Sequence, residues 1–398
     1  MPPRVIFASY NYWPPDFGGE LLFSIQRLQA LAGRGFEVTV LTSGRPGFPQ
    51  QEIDNGVRVL RSPRVGESRP ARLMRRGIFA VWVLWHLLYL PLDVLHVGDL
   101  PGIDLTTSTL VTWLWVGLAR LRGARSVIGY SLADSADSPL RTQGWQGWWR
   151  RGQLRAVDCV VSISPALHSA VEAVLPGKSR LIVNGIPDNY LAVRPAAERQ
   201  LLRAEAGAGA EEVVFTFLGS LGQRKGFDLL AQAFADAAPT HKCWRLWVIG
   251  PRTAAESQNI VVEEVAAVTA PLAGFGEQVT FWGRVNDRER VRDLLAASDV
   301  FVFPSRREGL GVAPLEAMAT GLPIIISCIP GVTDLGNIEG ETGLFVEPGD
   351  EHGLLAAMLR LGENADLRRT MGAAARARIA SAFGWDDYLN KWEAVYTR

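Results

Sequence analysis

The chain has 398 residues, more than one hydrophobic core normally serves, and its 48% hydrophobic content supports two domains. Lys plus Arg equals Asp plus Glu at 41 each, so no global field favours nucleic acid or a strongly acidic partner. The three cysteines, Cys159, Cys243 and Cys328, are scattered without CxxC spacing, which argues for a reducing compartment, against a zinc site and for plain core fillers.

The N-terminus goes straight into a strand at Val5 to Ala8 and lacks the apolar run and cleavage site of a signal peptide, which predicts a cytoplasmic protein. A loop with Gly18 and Gly19 follows, then a helical pattern in Leu21, Leu22, Ile25, Leu28 and Leu31, then a strand at Glu37 to Leu41. This order is a doubly wound unit, and residues 93–97, 126–130 and 158–163 supply further strands. The first domain is expected over residues 1–182. The pattern then restarts with a strand at 213–219, a glycine and basic loop, a helix through Phe234 and a strand at 244–250. Strands in VTFWG, DVFVF and PIIIS continue a second sheet, with helices over Arg288 to Ala297 and Glu351 to Leu361, and this second Rossmann-like domain is expected over 183–384.

Residues 299–323, DVFVFPSRREGLGVAPLEAMATGLP, carry the densest information. The apolar run Val300 to Phe303 reads as a buried parallel strand, closed by Pro304 because proline cannot donate to a sheet ladder. Gly309, Leu310 and Gly311 form a turn whose glycines leave backbone N–H groups uncovered. Pro314 suits the first turn of a helix that begins near Val312, and Gly321 and Pro323 stop it. The positive end of that helix therefore points at the turn, as a phosphate-bearing ligand requires. Glu308 and Glu316 stand eight residues apart, so they do not stack on one helix face. The loop is expected to fold Glu308 back over the helix start, giving two acceptors around a polyhydroxylated ligand.

The Glu308-x7-Glu316 spacing within this strand, glycine and helix-stop context resembles the signature of glycosyltransferase family 4, retaining enzymes of the GT-B fold. The likeness spans most of the chain and is strongest over 215–350. It implies two Rossmann-like α/β domains with the donor site in the cleft between them, and a C-terminal helix, residues 385–398, that returns to the first domain. It also implies transfer of a sugar from a nucleotide-diphosphate donor to a hydroxyl acceptor by front-face substitution, without a protein nucleophile. Lys225, with Arg224 as an auxiliary, then neutralises the departing diphosphate, Glu308 holds sugar hydroxyls and Glu316 holds the ribose. The loop from Gly219 to Gly226 matches the family pattern at Lys225, whereas Ser220 stands where relatives often carry arginine. Gly18 and Gly19 match a glycine pair that lets the first loop approach the ligand.

Many relatives place a histidine after a first-domain strand. Here Tyr130 or Ser131 occupies that region; His96 is a rival, although a histidine on an apolar strand is more often satisfied core, and Asp134 lies in a loop that could reach the acceptor or cap a helix. No DxD aspartate pair stands in a suitable loop, so neither metal nor other cofactor is expected. The acceptor is expected to be a glycan, a lipid-linked molecule or a small molecule. Two other functions stay open, a GT-B nucleotide-sugar epimerase and a non-catalytic nucleotide-sugar-binding subunit.

Residues 69–92 join Arg69, Arg72, Arg75 and Arg76 to the run IFAVWVLWHLLYLPL, which is too short to span a bilayer and is interrupted by His86 and Pro91. Two readings stay open: a helix packed in the first domain, and a basic, tryptophan-bearing helix making peripheral contact with an anionic membrane. Trp145, Trp148, Trp149, Arg150 and Arg151 are candidates to extend the same face.

Overall fold

The computed structural model describes residues 2–12, 19–45, 47–64, 69–98, 105–130, 144–253, 256, 261–333 and 339–397. The chain divides into two units, residues 1–184 with 386–398, and residues 185–385.

In the first unit the strands are β1 (Arg4–Ala8), β2 (Glu37–Thr42), β3 (Gln51–Asp54), β4 (Val57–Arg61), β5 (Val94–Val97), β6 (Arg125–Tyr130), β7 (Cys159–Ser162) and β8 (Ser179–Leu181). The helices between them are α1 (Gly19–Gly33), α2 (Arg69–Tyr89), α3 (Leu105–Leu121), α4 (Gly144–Ala156) and α5 (Pro165–Glu172). The strands form one sheet in the order β3-β4-β2-β1-β5-β6-β7-β8, parallel except where β3 pairs antiparallel with β4. Those two strands turn at Asn55 and Gly56, both at positive φ, the Asn-Gly pairing that a two-residue hairpin demands. On one side of the sheet, Leu21, Ile25 and Leu28 of α1 pack on Phe7, Val38, Val40 and Val59 at helical spacing.

The second unit continues with α6 (Ala196–Glu205), β9 (Val213–Leu218), α7 (Phe227–Ala237), β10 (Trp244–Ile249), α8 (Val262–Thr269), β11 (Val279–Gly283), α9 (Arg288–Ala297), β12 (Val300–Phe303), α10 (Val312–Ala319), β13 (Ile324–Ser327), β14 (Gly343–Val346), α11 (Glu351–Glu363) and α12 (Ala365–Ala382). Its sheet is wholly parallel in the order β11-β10-β9-β12-β13-β14. Phe215, Phe217, Phe227, Phe234 and Trp244 fill its largest core, and all are nearly solvent-free. The last helix, α13 (Trp385–Thr397), joins the first unit: Trp392 stacks on His96, and Arg34 of α1 ion-pairs with Asp386 and Glu393.

The start of β1 is pinned to the start of β5 by Arg4 Nη2, 2.7 Å from Asp93 Oδ1. The hydrogen-bonding guanidinium lowers the Asp93 carboxyl from 3.8 to about 2. A carboxyl lowered on folding stabilises the fold above its unfolded pKa, and that contribution disappears as pH falls through the folded one. Because both groups are more than a third exposed, solvent screens the pair and its contribution is small. Asp93→Asn is expected to melt slightly below the wild type at pH 5, and the gap is expected to close by pH 2.

Candidate active site

In the second sheet β9 lies between β10 and β12, and the chain proceeds outward in opposite directions from it. The boundary between β9 and β12 is thus the topological switch point, outside whose carboxyl ends an open α/β sheet binds its ligands. The two sequence motifs are the loops that leave these two strands. After β9, Gly219 to Gly226 makes a tight turn over Gln223–Lys225. After β12, Pro304 to Gly311 leads into α10.

The two loops are tied together at several points. The Arg306 N–H donates to the Arg224 carbonyl at 2.9 Å, and Ser305 Oγ lies 3.1 Å from the same oxygen. Arg306 also grips Asp228 at the start of α7 through two parallel contacts of 2.7 and 2.8 Å. Gly226 takes φ +68°, and a Cβ there would fall 1.8 Å from the Pro304 carbonyl oxygen. Gly226→Ala is therefore expected to cost at least about 2 kcal/mol, combining left-handed strain with backbone collision. A urea midpoint shows the cost, and the folded fraction should bind nucleotide weakly because the loops have separated.

Lys225 Nζ donates to Glu308 Oε1 at 2.6 Å, Ser305 Oγ donates to the same oxygen at 2.6 Å, and an Arg224 guanidinium nitrogen lies 3.7 Å from it. Glu308 is 5% exposed, so this is a nearly buried carboxylate beneath two cations. Burial pushes the Lys225 amine below its ordinary value; Glu308 opposes that shift and Arg224 adds to it. Arg224 is more exposed than Lys225. Ser220 is exposed, and Gly219 is pinned by its N–H to the Ile249 carbonyl at 2.9 Å.

The helix α10 starts at Val312 with Gly311 at its N-cap. The Gly311 N–H donates to the Gly331 carbonyl at 2.9 Å, and Gly331 itself has φ +82°. A Cβ on Gly331 would come within 2.8 Å of both the Glu308 and Gly309 carbonyl oxygens. The Pro330-Gly331 turn thus props the glycine loop from behind, a role the sequence analysis missed although a Pro-Gly dipeptide is a turn signal. Leu310 is buried and anchors the loop between the two glycines.

Glu316 has a cation of its own. Arg288, the first residue of α9, ion-pairs with Glu316 Oε1; Tyr190 Oη–H donates to the same atom at 3.3 Å, and Arg288 Nη2 donates to Tyr190 Oη at 2.9 Å. The carboxylate is 3% exposed. The expected pair of glutamates is therefore resolved into two separate ion pairs, Glu308 with Lys225 and Glu316 with Arg288. No sequence signal marks Arg288 or Tyr190, which lie on other elements and far from the motif.

The first-domain expectations fare differently. His96 is 2% exposed on β5, with Nδ1 2.6 Å from Tyr396 Oη and its ring between Phe7 and Trp392. Burial holds its pKa well below the ordinary value, and its described neighbours are core side chains of β1 and α13. Gly19 opens α1 and Tyr130 ends β6, whereas Gly18, Ser131 and Asp134 lie outside the described residues.

Comparison with known proteins identifies the chain. Residues 25–190 match the model for Glycosyltransferase Family 4, and residues 212–364 match the model for Glycosyl transferases group 1. The chain belongs to glycosyltransferase family 4. It is 26% identical to a D-inositol 3-phosphate glycosyltransferase of Streptomyces scabiei, over all of this chain and 91% of the relative. Among solved structures, sucrose-phosphate synthase of Thermosynechococcus elongatus superposes with a TM-score of 0.80 at 23% identity, covering 100% of this chain and 98% of that one. Anabaena HepE in complex with UDP-glucose gives 0.77 at 19% identity and covers both chains completely. These likenesses give the family 4 chain the GT-B architecture of two Rossmann-like domains.

Proposed function

We infer that the chain transfers a sugar, with retention of anomeric configuration, from a nucleoside-diphosphate donor to an acceptor hydroxyl. The observation that carries this reading is the Lys225 ammonium held on Glu308, beside Arg224, where two ligand-binding loops leave the switch point of a parallel sheet. An incoming diphosphate competes with Glu308 for Lys225 and recruits the exposed Arg224, while the N–H groups at the start of α10 add their partial positive charge. Glu308, released from Lys225, is then free to accept from sugar hydroxyls. Glu316 accepts from the ribose while Arg288 and Tyr190 hold it in place.

The leaving diphosphate departs from the anomeric carbon, and its oxygen accepts the proton of the incoming hydroxyl on the same face of the sugar. One lysine and one arginine, Lys225 and Arg224, neutralise the departing charge, which supports metal-independent turnover. Likeness to a UDP-glucose complex and to an inositol-phosphate transferase favours a UDP-hexose donor and a polyhydroxylated acceptor, built into a glycan or glycolipid. The free thiols of Cys159, Cys243 and Cys328 support a cytoplasmic setting.

A thermal-shift panel of UDP, GDP, ADP and TDP with their sugars, with and without EDTA, tests the donor reading through mass action. Stabilisation by one base series, unchanged by EDTA, is the expected result, whereas no shift across the panel removes the donor site. NMR of the anomeric proton in the product tests retention. Tight donor binding with neither transfer nor hydrolysis would point to a non-catalytic nucleotide-sugar-binding subunit.

A further inference from the structure

The helices α2, α3 and α4 of the first unit pack side by side, and polar clamps fix the contact. Trp115 of α3 donates to the Ala80 carbonyl of α2 at 3.1 Å, Arg122 donates to the Leu87 and Leu90 carbonyls, and Trp113 of α3 donates to the Gly152 carbonyl of α4 at 3.0 Å. Gly152 allows this approach, since a Cβ there would meet Trp113 at 2.9 Å.

The outer surface of this layer inverts the ordinary pattern of a surface helix. Along α2 the exposed described positions fall every three or four residues at Met74, Gly77, Val81, Trp85 and Leu88, with Tyr89 beside the last of them, and none carries a charge. Val81 is 67% exposed and Trp85 58%. On α3 the same stripe is Leu110, Leu114, Gly117 and Leu121, ending in Arg120; on α4 it is Trp145, Trp148 and Arg155. Such a surface is larger than the scattered apolar residues of a monomer. Between α3 and α4 runs an open groove of about 380 Å³ lined by Trp113, Val116 and Trp148 with Arg120 and Arg155. The three helices together contain eight arginines and no aspartate or glutamate.

We propose that this three-helix face is a docking surface for an anionic lipid bilayer, lying in the interface without crossing it. Charge decides between this occupant and a second copy of the chain. A two-fold interface sets the same patch against itself, so three helices whose only formal charges are arginines, with Asp158 beside Arg120 as the one carboxylate recorded against the exposed ones, would place cation on cation. A bilayer with anionic headgroups complements those arginines, and exposed tryptophans and leucines enter the acyl boundary. Among the described residues no helix is long and apolar enough to cross a membrane, so contact is peripheral. The face uses none of the groups around Lys225 and Glu316, and docking needs no nucleotide, so it stands or falls independently of the donor reading.

The test is flotation of the full chain with vesicles of phosphatidylcholine alone and of phosphatidylcholine with phosphatidylglycerol, at low and high salt. Binding to the anionic vesicles, weakened by salt and lowered at least about tenfold in Trp85→Asp and in Trp148→Asp, is expected. Both side chains are at least half exposed, so melting temperature and nucleotide binding should remain those of the wild type. Leu114→Asp, on the middle helix, provides a third variant against a local folding defect. Absence of the wild type from floated anionic vesicles overturns the proposal, as does binding that all three variants retain. Concentration-dependent self-association abolished by the same variants, without vesicle binding, assigns the face to a second copy instead.

Discussion

Lys225→Met is expected to lower kcat/KM by about 10²–10³-fold, with most of the loss in kcat. The reason is where the charge appears. A nucleotide sugar already carries a charged diphosphate in the ground state, but the bond to the anomeric carbon breaks in the transition state and leaves further negative charge on the departing oxygen. A cation placed there stabilises the transition state more than the bound donor, so its removal affects turnover more than affinity. Methionine keeps the unbranched apolar stem of the side chain and removes the ammonium, which lies 5.0 Å from the centre of the Phe303 ring. It also strands Glu308, leaving that 5% exposed carboxylate with the Ser305 hydroxyl and the more distant Arg224. Stability should fall by about 1–3 kcal/mol for that reason, less than for a buried charge with no partner at all. The double variant Lys225→Met/Glu308→Gln separates the two effects: it should regain most of the lost stability and none of the lost transfer. Wild-type turnover by a folded Lys225→Met protein would remove the lysine from the chemistry.

The parts of this architecture that were readable in the sequence are those whose signals are contiguous. Strand β12, the Pro304 stop, the glycine turn, Pro314 and Gly321 follow one another within about two dozen residues, and each has a local physical cause. Residues on neighbouring elements leave no such trace. Arg288 and Tyr190 reach Glu316 from positions 28 and 126 residues earlier, because the fold brings α9 and the segment after the unit boundary against α10. His96 shows the opposite limit. Its strand position was evident, but only the packing of α13 against β5 reveals that its ring is occupied by Tyr396 and Trp392. The β3–β4 hairpin escaped because Gln51–Asp54 is a polar edge strand without the apolar run that marks interior strands, even though Asn55-Gly56 is a strong turn signal.

Glu316→Gln is expected to weaken donor binding by about 10–100-fold, the worth of a charge-assisted hydrogen bond to the ribose. Arg288→Met is expected to be the more destabilising change. It leaves a carboxylate of 3% exposure with only the Tyr190 hydroxyl among its recorded partners, a situation that costs about 3–5 kcal/mol. Combining Arg288→Met with Glu316→Gln removes the stranded charge and should restore much of that stability, as a denaturant midpoint would show. Stability alone does not distinguish a ribose-binding carboxylate from one that merely anchors α9 to α10, since both roles predict these losses. The sugar of the nucleotide does. If Glu316 accepts from ribose hydroxyls, the wild type should favour a ribonucleoside diphosphate over its 2′-deoxy counterpart, and Glu316→Gln should weaken the ribonucleotide more than the deoxynucleotide, narrowing the gap. A purely structural Glu316 would weaken both by the same factor, because a displaced loop penalises every diphosphate equally. Isothermal titration of the two nucleotides against both proteins therefore assigns the residue: a narrowed gap places the ribose on Glu316, and an unchanged one confines it to holding Arg288.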